Sequence, residues 1–299
     1  MKHVIVRTLA LGLAFLAVIS GAFGVQQVVS GRDRQITDAK ASTSSVATSS
    51  SADTTTNAKR AAIQAKVQAY LTQVGSDHTV SVTFKNLTPQ AGSAAAKNAV
   101  YNSGSLTAAV NGDTLETAAS TYKLFIAAYL FSHGYDWTTT AQSGFDQMVV
   151  NSANDFSESV LAQYGDATID RYLQSQGWNT VFSADQAAQT SSNTLASLLT
   201  QLQAGTGAFQ TANLRNWLLT DMAQQVYRSG IPQAAGTGGT VQDKVGFLND
   251  VNNDAAIVTL PNGARFILVI MTHGHDQATL DFSRINTIAE HVIKLAYGA

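Results

Sequence analysis

A long helical block interrupts a strand-patterned chain, and this order limits the folds open to it more than any other feature. From Ser120 to about Gln225 apolar residues recur at helical spacing, punctuated by Gly134, Gly165, Gly177 and Gly205. Before it, Thr79–Phe84 alternates as a strand, and a further strand is expected within Asn98–Leu106. After it come three short apolar runs, Gln242–Phe247, Asp254–Leu260 and Arg265–Thr272, split by Asn-Asp and Pro-Asn-Gly turns. Helical patterns flank the whole. Ala61, Ile63, Val67, Tyr70 and Leu71 precede a stop at Gly75, and Ile285, Ile288, Ala289, Val292, Ile293 and Leu295 line one side of a helix over Asp281–Tyr297. The simplest arrangement is an α+β fold: one antiparallel sheet covered by the N- and C-terminal helices, with an inserted all-helical lobe. The domain is expected over 58–299, its α/β part being 58–118 and 236–299 and its lobe 119–235. A site at the seam would draw residues from both parts.

The chain is 45% hydrophobic and 13% charged, enough apolar material for a large core. A net charge of −2 leaves no electrostatic footprint for nucleic acid. Cysteine is absent, which excludes disulfides, thiolate metal sites and a cysteine nucleophile. At the N-terminus Lys2 and Arg7 are followed by an uncharged run from Thr8 to Val25. Residues 1–29 therefore read as a signal peptide, with a passable cleavage site at Ala22-Phe-Gly24, or as a retained membrane anchor. Either way the positive end stays in the cytoplasm, and the rest lies on the extracellular face of the membrane or is secreted. Residues 30–57 are rich in Ser and Thr and read as a disordered linker.

Three short strings carry chemistry: Ser120-Thr-Tyr-Lys123, Ser152-Ala-Asn154 and Lys244-Val-Gly246. On a helix, Ser120 and Lys123 share a face one turn apart. A serine hydroxyl attacks poorly until a neighbouring base takes its proton, and a desolvated lysine can be that base. Each residue also has a plainer reading. Ser120, Ser152 and Asn154 are all good helix caps, and Lys244 could be a solvated strand lysine.

Taken together and in this order, the strings resemble the signature elements of class A β-lactamases and penicillin-binding proteins. The likeness extends to Gly144–Asp155, Gly230-Ile-Pro232, Asn253-Asp254 and Ile267–Thr272, and covers about Ala58 to Ala299. It implies a serine hydrolase with Ser120 as nucleophile and Lys123 as base. Ser152 would relay a proton to the leaving nitrogen, and Asn154 would hold both the substrate amide and Lys123. Lys244, Gly246 and Phe247 would bind substrate, Lys244 by attracting its carboxylate. Backbone N–H groups of Ser120 and Phe247 would form the oxyanion hole. The implied substrate is a β-lactam or a peptide ending in D-Ala-D-Ala, with no cofactor and no metal; the molecule is expected to be a monomer.

Three departures qualify that implication. The chain's three glutamates are Glu116, Glu158 and Glu290, and none falls in Gly177–Gln189, where class A β-lactamases place the glutamate that activates the deacylating water. Asp185 is the sole carboxylate of that stretch. Ser120 and Ser152 are closer together than is usual, and Val245 replaces a hydroxyl of the third element. Slow hydrolysis of the acyl-enzyme is expected, with two rivals: a DD-peptidase acting on cell-wall peptides, and a non-catalytic envelope binding module. His273-Gly-His275-Asp276 lacks a third separated ligand and is read as a loop rather than a zinc site. Gly236–Gly239 lacks the Lys-Ser/Thr and following helix of a phosphate loop. Trp137, Trp178 and Trp217 are expected in the core.

Overall fold

In the strand Arg265–Thr272 every residue after the first is buried. Such a strand must be covered on both faces, and its two sets of side chains lead into two separate cores. Phe266, Leu268 and Ile270 join one, and Ile267, Val269 and Met271 the other. The computed structural model describes residues 43–102 and 104–298, with side chains from 53 onward. The expected signal or anchor over 1–29 lies outside them, as does the first part of the 30–57 linker.

The chain runs from helix α1 (Thr43–Val74) into strand β1 (Val80–Leu87), two 3₁₀ turns (Ala95–Lys97 and Ala99–Tyr101), β2 (Thr107–Val110) and the two-residue β3 (Glu116–Thr117). A 3₁₀ turn, Ala119–Tyr122, opens the helical lobe. There follow α2 (Lys123–Ser132), α3 (Thr139–Val150), α4 (Asp155–Tyr164) and α5 (Asp166–Ser175). The lobe continues with strands β4 (Thr180–Ser183) and β5 (Gln186–Thr190), then α6 (Ser192–Ala204), α7 (Ala212–Ala223) and α8 (Ile231–Ala235). Strands β6 (Thr240–Leu248), β7 (Val251–Thr259) and β8 (Arg265–Thr272) and helix α9 (Ser283–Tyr297) complete the described chain. α1 starts inside the 30–57 stretch.

The main sheet has the order β2-β1-β8-β7-β6 and is antiparallel throughout. On one face, Val67 and Leu71 of α1 and Ile285, Ala289 and Val292 of α9 pack on Val82, Phe84, Ala256, Val258 and Leu268. On the other, Ala255, Ile257, Ile267 and Val269 meet the lobe, whose centre is α2. All of α2 from Lys123 to Phe131 is buried. A helix apolar all round belongs inside a protein, so the Lys123–Phe131 run dictates that position. The fold is thus the expected antiparallel sheet, two terminal helices and an inserted helical lobe.

Two local expectations are corrected. Asn98–Leu106 contains a 3₁₀ turn rather than a strand, and β2 begins only at Thr107. The lobe is not all-helical: β4 and β5 form a hairpin that pairs with β3 in a second, three-stranded sheet. The Gly177–Gln189 stretch is therefore largely a hairpin. Its second strand, Gln186–Thr190, carries little apolar alternation, since its stability comes from pairing rather than from burial of large side chains.

Candidate active site

Ser120 sits in the 3₁₀ turn that leads directly into α2 at Lys123, so it does not cap that helix. The preceding Ala119 has φ of 43°, in the left-handed region that costs a residue with a Cβ roughly 1–2 kcal/mol. Two neighbours hold this bend. Asn253 of β7 donates its Nδ2–H to the carbonyls of Thr117 (2.9 Å) and Ala118 (3.0 Å). The Ala118 N–H donates to the Ala188 carbonyl of β5 at 2.8 Å. The turn that carries Ser120 is thus clamped between the two sheets.

Lys123 points from the first turn of α2 into the seam. Its Nζ donates to Ser120 Oγ at 2.9 Å, to the Ser152 carbonyl at 2.6 Å and to Asn154 Oδ1 at 2.7 Å. Burial pushes its pKa down from 10.5 to about 8, with the charge of Glu158 pulling the other way. A lysine so placed exists partly as the free amine near neutral pH, the form able to accept a proton.

Ser152 lies between α3 and α4 with φ of 59°, a conformation kept only where surroundings enforce it. Its Oγ accepts from Lys244 Nζ at 2.8 Å. Asn154 occupies the N-cap of α4, yet its side chain does not cap; it is turned to Lys123 instead. Lys244 has no exposed surface, and its Nζ also donates to the Val245 carbonyl at 2.9 Å. Burial, reinforced by the charge of Lys123, drives the Lys244 pKa well down. The plainer readings of all four residues, as caps and as a solvated lysine, do not describe this geometry. Lys244 differs from expectation in one respect. Its amine stands behind Ser152 and does not line the cavity over Ser120, so in this conformation it has no direct contact with that space.

Gly246 explains the third string. A Cβ there would lie 2.7 Å from the Ala118 carbonyl and 3.0 Å from the Ser120 nitrogen, closer than side-chain carbons pack. Val245 points to the opposite face, fully buried in the core under the terminal helices. Phe247 is half-buried, its ring edge-on to Tyr227 at 5.2 Å. A cavity of about 200 Å³ lies over the assembly, lined by Ala119, Ser120, Tyr122, Asn154, Glu158, Ala187, Ala188, Phe247 and Leu248. Five predicted residues, Ser120, Lys123, Ser152, Asn154 and Lys244, are therefore linked by hydrogen bonds beside it, Lys123 meeting Ser152 through the main-chain carbonyl, with Gly246 and Phe247 on the facing strand.

Several residues that shape the site carry no local signal of doing so. Asn253 acts across the sheet. On the far face of β6 and β7, Asp243 and Asp254 are fully buried; Asp243 accepts from Arg228 at 2.7 Å and Asp254 from the Ile231 N–H at 2.9 Å. Burial raises the Asp254 pKa to about 7 and that of Asp243 strongly. Both act on Lys244 through space, favouring its charged form. Asp185, by contrast, lies at the hairpin turn and does not line the cavity, where β5 presents Ala187 and Ala188. His275 hydrogen-bonds Thr79 at 2.7 Å, and His273 Nε2 lies 3.9 Å from Glu116 Oε1. Trp178 is buried against Phe125, with Trp137 and Trp217 partly buried on the same core.

No curated protein matches the chain. Solved structures do match in fold. A mutant of PBP-A, as an acyl-enzyme complex with penicillin G, is 19% identical with a TM-score of 0.64, covering 78% of this chain and 97% of its own. The β-lactamase of Sphaerobacter thermophilus is 17% identical with a TM-score of 0.62, covering 79% and 98%. A class A β-lactamase representative from Bacteroides cellulosilyticus is 13% identical with a TM-score of 0.61, covering 79% and 97%. A family model described as "Beta-lactamase enzyme family" matches residues 133–296, a stretch that contains the second and third strings and follows directly on α2. With more than half of its length inside that match, the chain belongs to the β-lactamase enzyme family.

Proposed function

We propose that this protein is an exported hydrolase that forms a Ser120 acyl-enzyme with β-lactams or related amides and hydrolyses it slowly. The observation that carries this reading is the 2.9 Å contact between Ser120 Oγ and Lys123 Nζ, a lysine whose pKa burial has brought to about 8. Lys123 takes the proton as Oγ attacks the amide carbonyl. The developing oxyanion is held by the N–H groups of Ser120 and Phe247, where losing one such donor typically costs about 3–4 kcal/mol. Ser152, which already accepts from Lys244, has its own O–H free to protonate the departing nitrogen. Asn154 keeps Lys123 aimed at Ser120 and offers its amide to the substrate. The charged N-terminus and the uncharged run behind it support export, with the catalytic domain on the outer face of the membrane or released from it.

A DD-peptidase acting on D-Ala-D-Ala ends is the second reading. It is favoured by the cavity wall of β5, which presents Ala187 and Ala188 where a deacylating carboxylate would be expected. One experiment separates the two. Incubate the protein with penicillin G and follow intact mass together with drug concentration. A transient adduct with drug loss supports the hydrolysing enzyme, and a long-lived adduct the peptidase. No adduct, or one that survives Ser120→Ala, would falsify the nucleophile.

A further inference from the structure

We propose that Glu158, on the first turn of α4, is the general base that activates water to release the acyl group from Ser120. The inference rests on the acyl-enzyme reading above and names the residue that completes it. Among the described residues Glu158 is the sole carboxylate lining the cavity that holds Ser120. Glu116 is buried on β3, where its Oε1 accepts from Ser81, and Glu290 lies on α9 at the far side of the sheet. Asp185 is at the hairpin turn and does not line the cavity.

The position of Glu158 follows from the second string. Its backbone N–H donates to the Asn154 carbonyl at 2.9 Å, so it stands one helical turn beyond Asn154 on the same side of α4. Asn154 in turn touches Lys123, and the charge of Glu158 is felt at both Lys123 and the Tyr122 phenol. The side chain is exposed, and no hydrogen bond holds its carboxylate among the described residues. Of the other polar groups in the lining, Tyr122 is committed to Ser157 at 2.7 Å and Asn154 to Lys123. A water between Glu158 and the Ser120 ester would therefore meet a free acceptor.

The step balances without a further reactant. Glu158 takes one proton from water as the water oxygen bonds to the acyl carbon, and the carbonyl electrons move to the oxyanion. When the oxyanion collapses, the bond from the acyl carbon to Ser120 Oγ breaks, and Oγ takes a proton relayed from Glu158 through Lys123. The products are a free carboxylic acid and the restored hydroxyl. The step is proposed for the acyl group that a β-lactam leaves on Ser120, and so it goes with the hydrolysing reading rather than the peptidase one.

The test compares wild type, Glu158→Gln and Glu158→Asp with penicillin G, measuring adduct formation and adduct lifetime separately by quenched intact mass. A positioned base is worth about 10²–10⁴-fold, so Glu158→Gln should lengthen the lifetime by about 10² or more, with a much smaller effect on formation and an intermediate value for Glu158→Asp. Hydroxylamine, which attacks esters without a general base, should release the wild-type and Glu158→Gln adducts at similar rates. Equal lifetimes in wild type and Glu158→Gln would overturn the assignment while leaving the acyl-enzyme standing, as would a wild-type adduct that never turns over. Absence of any Ser120 adduct would remove both.

Discussion

Gly246 of β6 packs against the backbone of Ser120 so closely that a single added carbon would sit 3.0 Å from the Ser120 nitrogen. The strand and the nucleophile turn therefore share one surface, and the width of the proposed oxyanion hole is set by a residue with no side chain. Glycine is needed here for proximity, since its own φ is not in the left-handed region.

Gly246→Ala should keep the fold and lose the reaction. The methyl group meets main-chain atoms, which cannot swing aside as a long side chain would, so β6 or the 3₁₀ turn must shift. A drop of about 10²-fold in acylation by penicillin G is expected, comparable to losing an oxyanion donor. Far-ultraviolet circular dichroism should be unchanged. Acylation at the wild-type rate would show that the contact does not set the geometry of the site.

The pH dependence of acylation should report Lys123. In the proposed reaction its free amine is the proton acceptor, and that form dominates above the pKa of about 8. The rate of adduct formation should therefore rise about tenfold per pH unit below that value and level off above it. Lys123→Ala should remove the rise and about 10²–10⁴-fold of the rate. A flat profile between pH 6 and pH 9 in the wild type would argue that some other group accepts the proton.

Much of this arrangement was legible in the sequence, and the reasons are local. The Lys123–Phe131 run is apolar all round, so it announced a central helix, and the alternation in Thr79–Phe84 and the run Arg265–Thr272 announced buried strands. The three strings come together in the structure, each being short and set on its own element. What escaped were elements held by partners distant in sequence. β2, Thr107-Ala-Ala-Val110, is an edge strand of small residues, and β5 stands through its pairing with β3 and β4. Asn253 and Glu158 escaped for the same reason. Nothing near Asn253 in sequence shows that it bonds Thr117 and Ala118, and Glu158 enters the site only because α4 turns one face to it.

Asn253 offers a test of how the nucleophile is held. Asn253→Ala removes one donor from each of the Thr117 and Ala118 carbonyls, of which Ala118 keeps the Thr121 hydroxyl and N–H, and a lost hydrogen bond of this kind costs about 0.5–1.5 kcal/mol. The expected result is a lower midpoint of thermal unfolding with slower acylation, while the affinity for penicillin G measured on the Ser120→Ala background changes little. An Asn253→Ala variant that acylates normally would show that Ala188 and Thr121 hold the turn without it.

Away from the site, Asp221 on α7 should make stability depend on pH. Burial, together with the charge of Asp146, raises its pKa from 3.8 to about 7, and its Oδ2 has no hydrogen-bond partner. Asp146 meanwhile accepts from the Trp217 indole at 2.7 Å. The folded protein thus holds a proton on Asp221 that the unfolded chain releases near pH 4. The stabilisation is complete below the unfolded value, shrinks as pH rises, and is gone once pH passes the folded value of about 7. A carboxylate at that position costs about 2–4 kcal/mol above pH 7 relative to its protonated form. Asp221→Asn keeps the shape, removes the charge and can still donate toward Asp146. Its thermal midpoint should therefore match the wild type only below about pH 4 and exceed it by a margin that grows with pH to several degrees at pH 8, since about 1 kcal/mol moves a domain of this size by roughly 2–4 °C. Equal midpoints at both pH values would mean that Asp221 is ionised in the folded protein without penalty, and that water or Asp146 solvates it.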